Sequence, residues 1–211
     1  MKKVLFALML LLSLPAMAQN TTDMKRYLAG AVPTVNGYVQ FDAEYSIAKK
    51  SKAEIMDSLR SFVQRELIDG PDQLPQSRIT EVSPDSGIIA ASIEEYMYFK
   101  RTNWQIHRVK FYYQLVFRVK DGSFTATMRR LHYRYDPEVT AGDFDDDRRA
   151  ENWITDEAAL SKNGMKLQRI SGKFRKHTID RKNYIFKHAA KVAGLVSNKK
   201  VITVEVDDDE D

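Results

Sequence analysis

The chain contains no cysteine. That absence excludes disulfide bracing, thiolate nucleophiles and thiolate metal sites, so the fold must hold through its core alone. It also removes the thiol that a lipid anchor would need. Apolar runs long enough to cross a membrane are missing too: the run from Val4 to Leu14 falls well short of the roughly 20 residues required, and nothing further along is as apolar.

Catalytic strings are equally scarce. No H-E-x-x-H pair occurs, and His107, His132, His177 and His188 are scattered, so metal ligation has no readable pattern. Asp143, Asp145 and Asp147 take the first, third and fifth places of a calcium loop. Arg148, however, stands where that loop needs Gly, and Ile154 where it needs a bidentate Glu. Gly172-Lys173 lacks the other residues of a phosphate loop, with Leu167 and Phe174 in their places. There is no G-x-S-x-G elbow. Glu94 and Glu95 are neighbours on an expected strand, so they point to opposite faces and cannot work as an acid and base pair. The sequence names no catalytic residue, no metal and no cofactor.

What is present begins at the first residue. Lys2 and Lys3, the apolar run, Pro15 and the small residues Ala16 to Ala18 read as a signal peptide over 1–18, leaving a mature chain from Gln19. Loss of Lys2 and Lys3 lowers the formal net charge from +4 to +2, and the terminal run Asp207 to Asp211 carries five of the 29 acids. The mature protein is therefore a mildly basic body with an acidic tail. About 190 residues fit one domain.

Residues 19–34 read as a flexible leader. From Val39 to Ile47 apolar and polar residues alternate, the period of a half-buried strand. "SKAE" at Ser51 to Glu54 is a capping box, followed by a helical stripe of Ile55, Leu59, Phe62, Val63 and Leu67 that ends at Asp69-Gly70-Pro71. "SRITEV" and "GIIAASIEEYMYF" form a hairpin around "SPDS", and Arg101 to Asn103 makes the next turn. In "RVKFYYQLVFRVKDGSFTATMRRLHYRY" the apolar residues Val109 to Val119 hold odd positions, and Asp121-Gly122 reverses the chain. A two-residue turn sets Val119 against Phe124, Phe117 against Ala126 and Leu115 against Met128. Beyond Arg130 the apolar parity changes to Leu131, Tyr133 and Tyr135, which requires a β-bulge near Arg129-Arg130.

The interleaved basic residues of this stretch are then the solvent face of a sheet, not a grip on nucleic acid. Asp136 to Asn152 reads as a loop, "ITDEAALSKN" as a short helix, and a longer helix begins near Asp180 with Thr178 or Asp180 as its cap. The tail, 197–211, reads as acidic and loosely docked, with an added edge strand as the other reading. Trp104 and Trp153 fall in or beside loops, where each either covers an edge of the core or stacks on a ligand. Trp104, Tyr112, Arg118 and Arg130 are the candidate contact residues.

The segments "VQFDAEYSIAKKSKAEIMDSLRSFV", "SPDSGIIAAS" and "YYQLVFRVKDGSFTATMRRLHYRY" resemble a family of exported Bacteroidetes proteins described only as a domain of unknown function with a TBP-like fold. The resemblance implies an α+β domain over 35–196, a single curved antiparallel sheet with helices on one face, in the order β-α-β-β-β-β-α. It implies no activity, and fold likeness to TATA-binding protein does not carry over DNA binding. The expectation is an exported, non-catalytic binding module in the periplasm or at the cell surface, not lipid-anchored, whose partner is an envelope protein or glycan. An enzyme of unrecognised class and a structural subunit of an envelope assembly are the alternatives.

Overall fold

The computed structural model describes residues 24–135 and 148–195. Seven strands form one sheet: β1 (Thr34–Val35), β2 (Tyr38–Ser46), β3 (Arg78–Ser83), β4 (Ile88–Arg101), β5 (Ile106–Lys120), β6 (Ser123–Arg134) and β7 (Arg148–Arg149). All pairs are antiparallel, in the order β1-β2-β6-β5-β4-β3, with β7 added to β6. Three α-helices accompany the sheet: α1 (Lys52–Phe62), α2 (Asp156–Ala159) and α3 (Ser171–Val192).

One face of the sheet is apolar because alternation puts it there. Val109, Phe111, Tyr113, Leu115, Phe117 and Val119 of β5 are all buried, as are Ile89, Ala91, Ile93 and Met97 of β4. Against this face pack Ile55, Leu59 and Phe62 of α1 and Ile185, Phe186 and Ala189 of α3, in one continuous core. Helix α1 starts at the expected capping box: Ser51 accepts from the Glu54 amide, and Glu54 accepts from the Ser51 amide. Lys50, whose side chain donates to Glu54, together with the cap bonds from Ser51, draws the Glu54 carboxyl down to about 2.

The Asp121-Gly122 turn gives the anticipated register, with Val119 opposite Phe124, Phe117 opposite Ala126 and Leu115 opposite Met128. The bulge is there too. Gln114 pairs with Arg129 but Tyr112 with His132, so Arg130 and Leu131 together face Tyr113. Arg130 takes a left-handed φ of 56°. By absorbing the extra residue, it returns Leu131 and Tyr133 to the buried face.

Besides β7 and the 3-10 turn Ala150–Asn152, which fall inside the stretch read as a loop, three features depart from the sequence reading. First, α3 begins at Ser171, nine residues before Asp180, and no side chain caps it. Its first turns bury Phe174, Arg175 and Thr178. Second, the segment read as a leader is docked in part: Tyr27 and Val32 are buried. Arg175 explains why, since its fully buried guanidinium donates to the carbonyls of Tyr27, Leu28 and Ile154 and to Asp156. Third, α1 does not stop at Phe62 but widens into a π-helical turn, Val63–Ile68. The calcium-loop reading, the signal peptide and the acidic tail lie outside the described residues.

Candidate functional site

Glu95 shares its parity with Ile89, Ala91, Ile93 and Met97, and so points into the core, where it is 3% exposed. Glu94 points the other way, as strand geometry requires. A lone acid in that row needs partners, and three elements supply them. Arg181 of α3 forms a two-bond clamp, Nε to Oε1 at 2.8 Å and Nη2 to Oε2 at 2.5 Å. Tyr113 of β5 donates to Oε1 at 3.3 Å, and Gln73 donates its amide to Oε2 at 2.9 Å. Gln73 reaches the site because the segment after the π-helical turn runs along β4 beyond the end of β3. Leu74 N donates to Glu94 O at 2.7 Å, and Tyr96 N donates to Asp72 O at 2.9 Å.

These bonds fix the chemistry. A carboxylate offers about four acceptor positions, and Glu95 has four donors on it, two per oxygen. No acceptor position on it is left open to a substrate. Burial opposes the charge on Arg181, yet Tyr113 and Glu95 beside it outweigh that cost and hold its pKa above the usual arginine value. Burial, with the Glu95 charge next to it, pushes the Tyr113 phenol well above the ordinary tyrosine range. Because a carboxylate only accepts, the Gln73 amide must face it, which leaves Gln73 Oε1 buried with no partner.

Above this base opens a cleft of about 400 Å³, walled by Arg65, Glu66, Gly70, Asp72, Tyr96, Tyr98 and Tyr184. The π-helical turn carries two of these residues; such widened turns recur at functional sites. At Gly70 an added Cβ would stand 2.6 Å from the Glu66 carbonyl oxygen, so only glycine lets the chain turn under the cleft floor. Asp72 pairs with Arg101 at 3.1 Å, and Glu66 lies 3.0 Å from His188.

The residues singled out from sequence lie elsewhere. Trp104 is 97% exposed at the tip of the β4–β5 hairpin, so it does not cover the core; Trp153 does, against Phe174 at 4.9 Å. Tyr112 is on the outer face, stacked on His132 at 4.4 Å. Arg130 sits beside it in the bulge, whereas Arg118 is six residues further along β5, roughly 20 Å away. Tyr112 and Arg130 are thus brought together, and Trp104 and Arg118 are not. Sequence reasoning weighed Glu95 only as half of an acid pair with Glu94, and passed over Arg181, Gln73 and Tyr113 as site residues. The readable signal was an acid on the apolar parity of β4.

Among the described residues no cluster of three or more His, Asp or Glu side chains is placed to hold a metal ion, and no helix is long and apolar enough to cross a membrane.

An open antiparallel sheet with helices in this order is the TBP-like class of α+β fold. Within it, residues 41–134 match the model described as "Domain of unknown function (DUF4468) with TBP-like fold", and the chain carries a domain of that family. A solved DUF4468 family protein from Bacteroides ovatus ATCC 8483 is 29% identical, with a TM-score of 0.72 over 84% of this chain and 98% of its own. A TBP-like protein from Parabacteroides distasonis ATCC 8503 is 18% identical, with a TM-score of 0.59 over 77% of this chain and 96% of its own, and is similar in fold alone. No curated protein matches the chain. Gln73, Glu95 and Tyr113 lie within the matched span and Arg181 beyond it.

Proposed function

We propose that the chain is an exported, non-catalytic binding module that seats its ligand in the cleft above Glu95 and Arg181, working in the periplasm or at the cell surface without a lipid anchor. The observation that carries this reading is the saturation of Glu95. A buried acid with every acceptor position filled is a rigid anchor for Arg181 and Gln73, not an acid or base. Arg181 spends two of its five N–H groups on Glu95, and its side chain is 27% exposed at the cleft.

The outer face of the sheet competes less well for a ligand because its aromatic rings are already covered. Arg108 lies 3.6 Å over the Tyr96 ring, and His132 covers Tyr112. Export is supported by the basic start, apolar run and small residues of 1–18. The partner is an envelope protein or glycan, not nucleic acid.

The test is an amide titration of isotope-labelled Gln19–Asp211 against low-mass, glycan and protein fractions of an envelope extract. Saturable shifts at Gln73, Tyr96, Arg181 and Tyr184 are expected from one fraction. A dispersed spectrum that no fraction perturbs at those positions would sink the proposal.

A further inference from the structure

We infer that the cleft is a seat for a neutral saccharide, a step that rests on the binding reading above. Three properties of the wall converge on that class. The first is its mixture of planar hydrogen-bonding groups: the guanidinium groups of Arg65 and Arg181 donate, and the carboxylates of Glu66 and Asp72 accept. A ligand that satisfies both kinds at close spacing must donate and accept from the same atoms, which hydroxyl groups do.

The second property is internal charge matching. Glu95 is taken by Arg181, Asp72 by Arg101, and Glu66 lies against His188. Arg65 already gives its Nε to the Ser61 carbonyl and keeps further N–H groups for ligand oxygens. An ionic ligand would have to displace these pairs, whereas a polyol need not.

The third is aromatic. Tyr184 is half exposed at the cleft and offers its ring there, whereas the Tyr96 and Tyr98 rings on β4 are taken by Arg108 and Arg101. A pyranose ring has an apolar C–H face that packs on such a platform while its rim hydroxyls reach polar groups. At about 400 Å³ the cleft lies at the small end of ligand sites, the size class of a mono- or disaccharide. The main rival, an extended peptide added to β4, meets an obstacle. Arg101 folds back over Tyr98, 4.6 Å from its ring centroid, to reach Asp72, and so guards that edge.

The experiment titrates the isotope-labelled mature chain with maltose, cellobiose and N,N′-diacetylchitobiose, alongside sodium glucuronate and a neutral hexapeptide of alternating Thr and Val. At least one disaccharide is expected to shift the amides of Gln73, Tyr96 and Tyr184 saturably. Tyr184→Phe should keep that binding, and Tyr184→Ala should weaken it about tenfold or more with an unchanged fold by circular dichroism. Shifts at the cleft from glucuronate or the peptide alone would overturn the saccharide and leave the binding module standing. Silence of the cleft towards every probe overturns the saccharide; silence towards the extract fractions as well removes both. Equal binding by Tyr184→Ala also overturns the assignment.

Discussion

Glu95 stands where an apolar residue would normally stand, and its cost is offset only by keeping all its donors. Breaking a buried pair from one side leaves the other charge stranded, typically at about 3–5 kcal/mol. Glu95→Ala should therefore destabilise the domain by an amount of that order in urea unfolding, whereas Glu95→Leu with Arg181→Met should recover most of it. If the single and double variants unfold alike, the ion pair is not the anchor described here. His177 gives a pH dependence. Half-buried against Phe99 at 5.0 Å, it resists protonation, because burial and then the nearby Lys176 lower its pKa. The unfolded chain binds that proton near pH ~6.5, so the stability is present above that value and lost as pH falls through it. The urea midpoint should drop more between pH 7.5 and 5.5 for the native chain than for His177→Gln, and parallel curves would refute this.

At the scale of elements the alternating strands were open to reading, because one face is apolar and the other polar along nearly the whole of β2, β4 and β5. Even the bulge could be read, since Leu131 and Tyr133 break parity with Phe124, Ala126 and Met128. It offers a sharp test. Arg130 holds a left-handed conformation that costs a side chain about 1–2 kcal/mol, so Arg130→Gly should raise stability by roughly 1 kcal/mol. Deleting Arg130 should close the bulge into a regular ladder that keeps Leu131 opposite Tyr113 and Tyr133 opposite Phe111, so the variant should still unfold cooperatively; loss of cooperative unfolding on deletion would disprove the register argument. The start of α3 was hidden for a physical reason. Its buried stripe passes through Arg175 and Thr178, polar residues satisfied by distant carbonyls and by Tyr133, so hydrophobic periodicity appears only from Ile185 onward. The π-helical turn was hidden because Val63 and Leu67 fit an ordinary helical stripe. The cleft was unreadable because its polar groups come from four separate elements.

At the scale of the molecule, the segment before β1 is part of the domain. Tyr27 donates to Asp180 at 2.6 Å, and the buried Arg175 holds the backbone of Tyr27 and Leu28. A chain beginning at Pro33 should lose at least about 3 kcal/mol, because Arg175 keeps its charge but loses two carbonyl partners. Differential melting against Gln19–Asp211 measures this, and equal melting temperatures would refute it.

The same clamp sets an order of events. Tyr27 and Asp180 are 153 residues apart, so a chain made from its N-terminus cannot close the domain until α3 has been synthesised. Until then the socket for Phe174 and Arg175 stays unfilled and the sheet's apolar face is only half covered. A chain arranged in this way cannot complete its core until the helix Ser171–Val192 has been made.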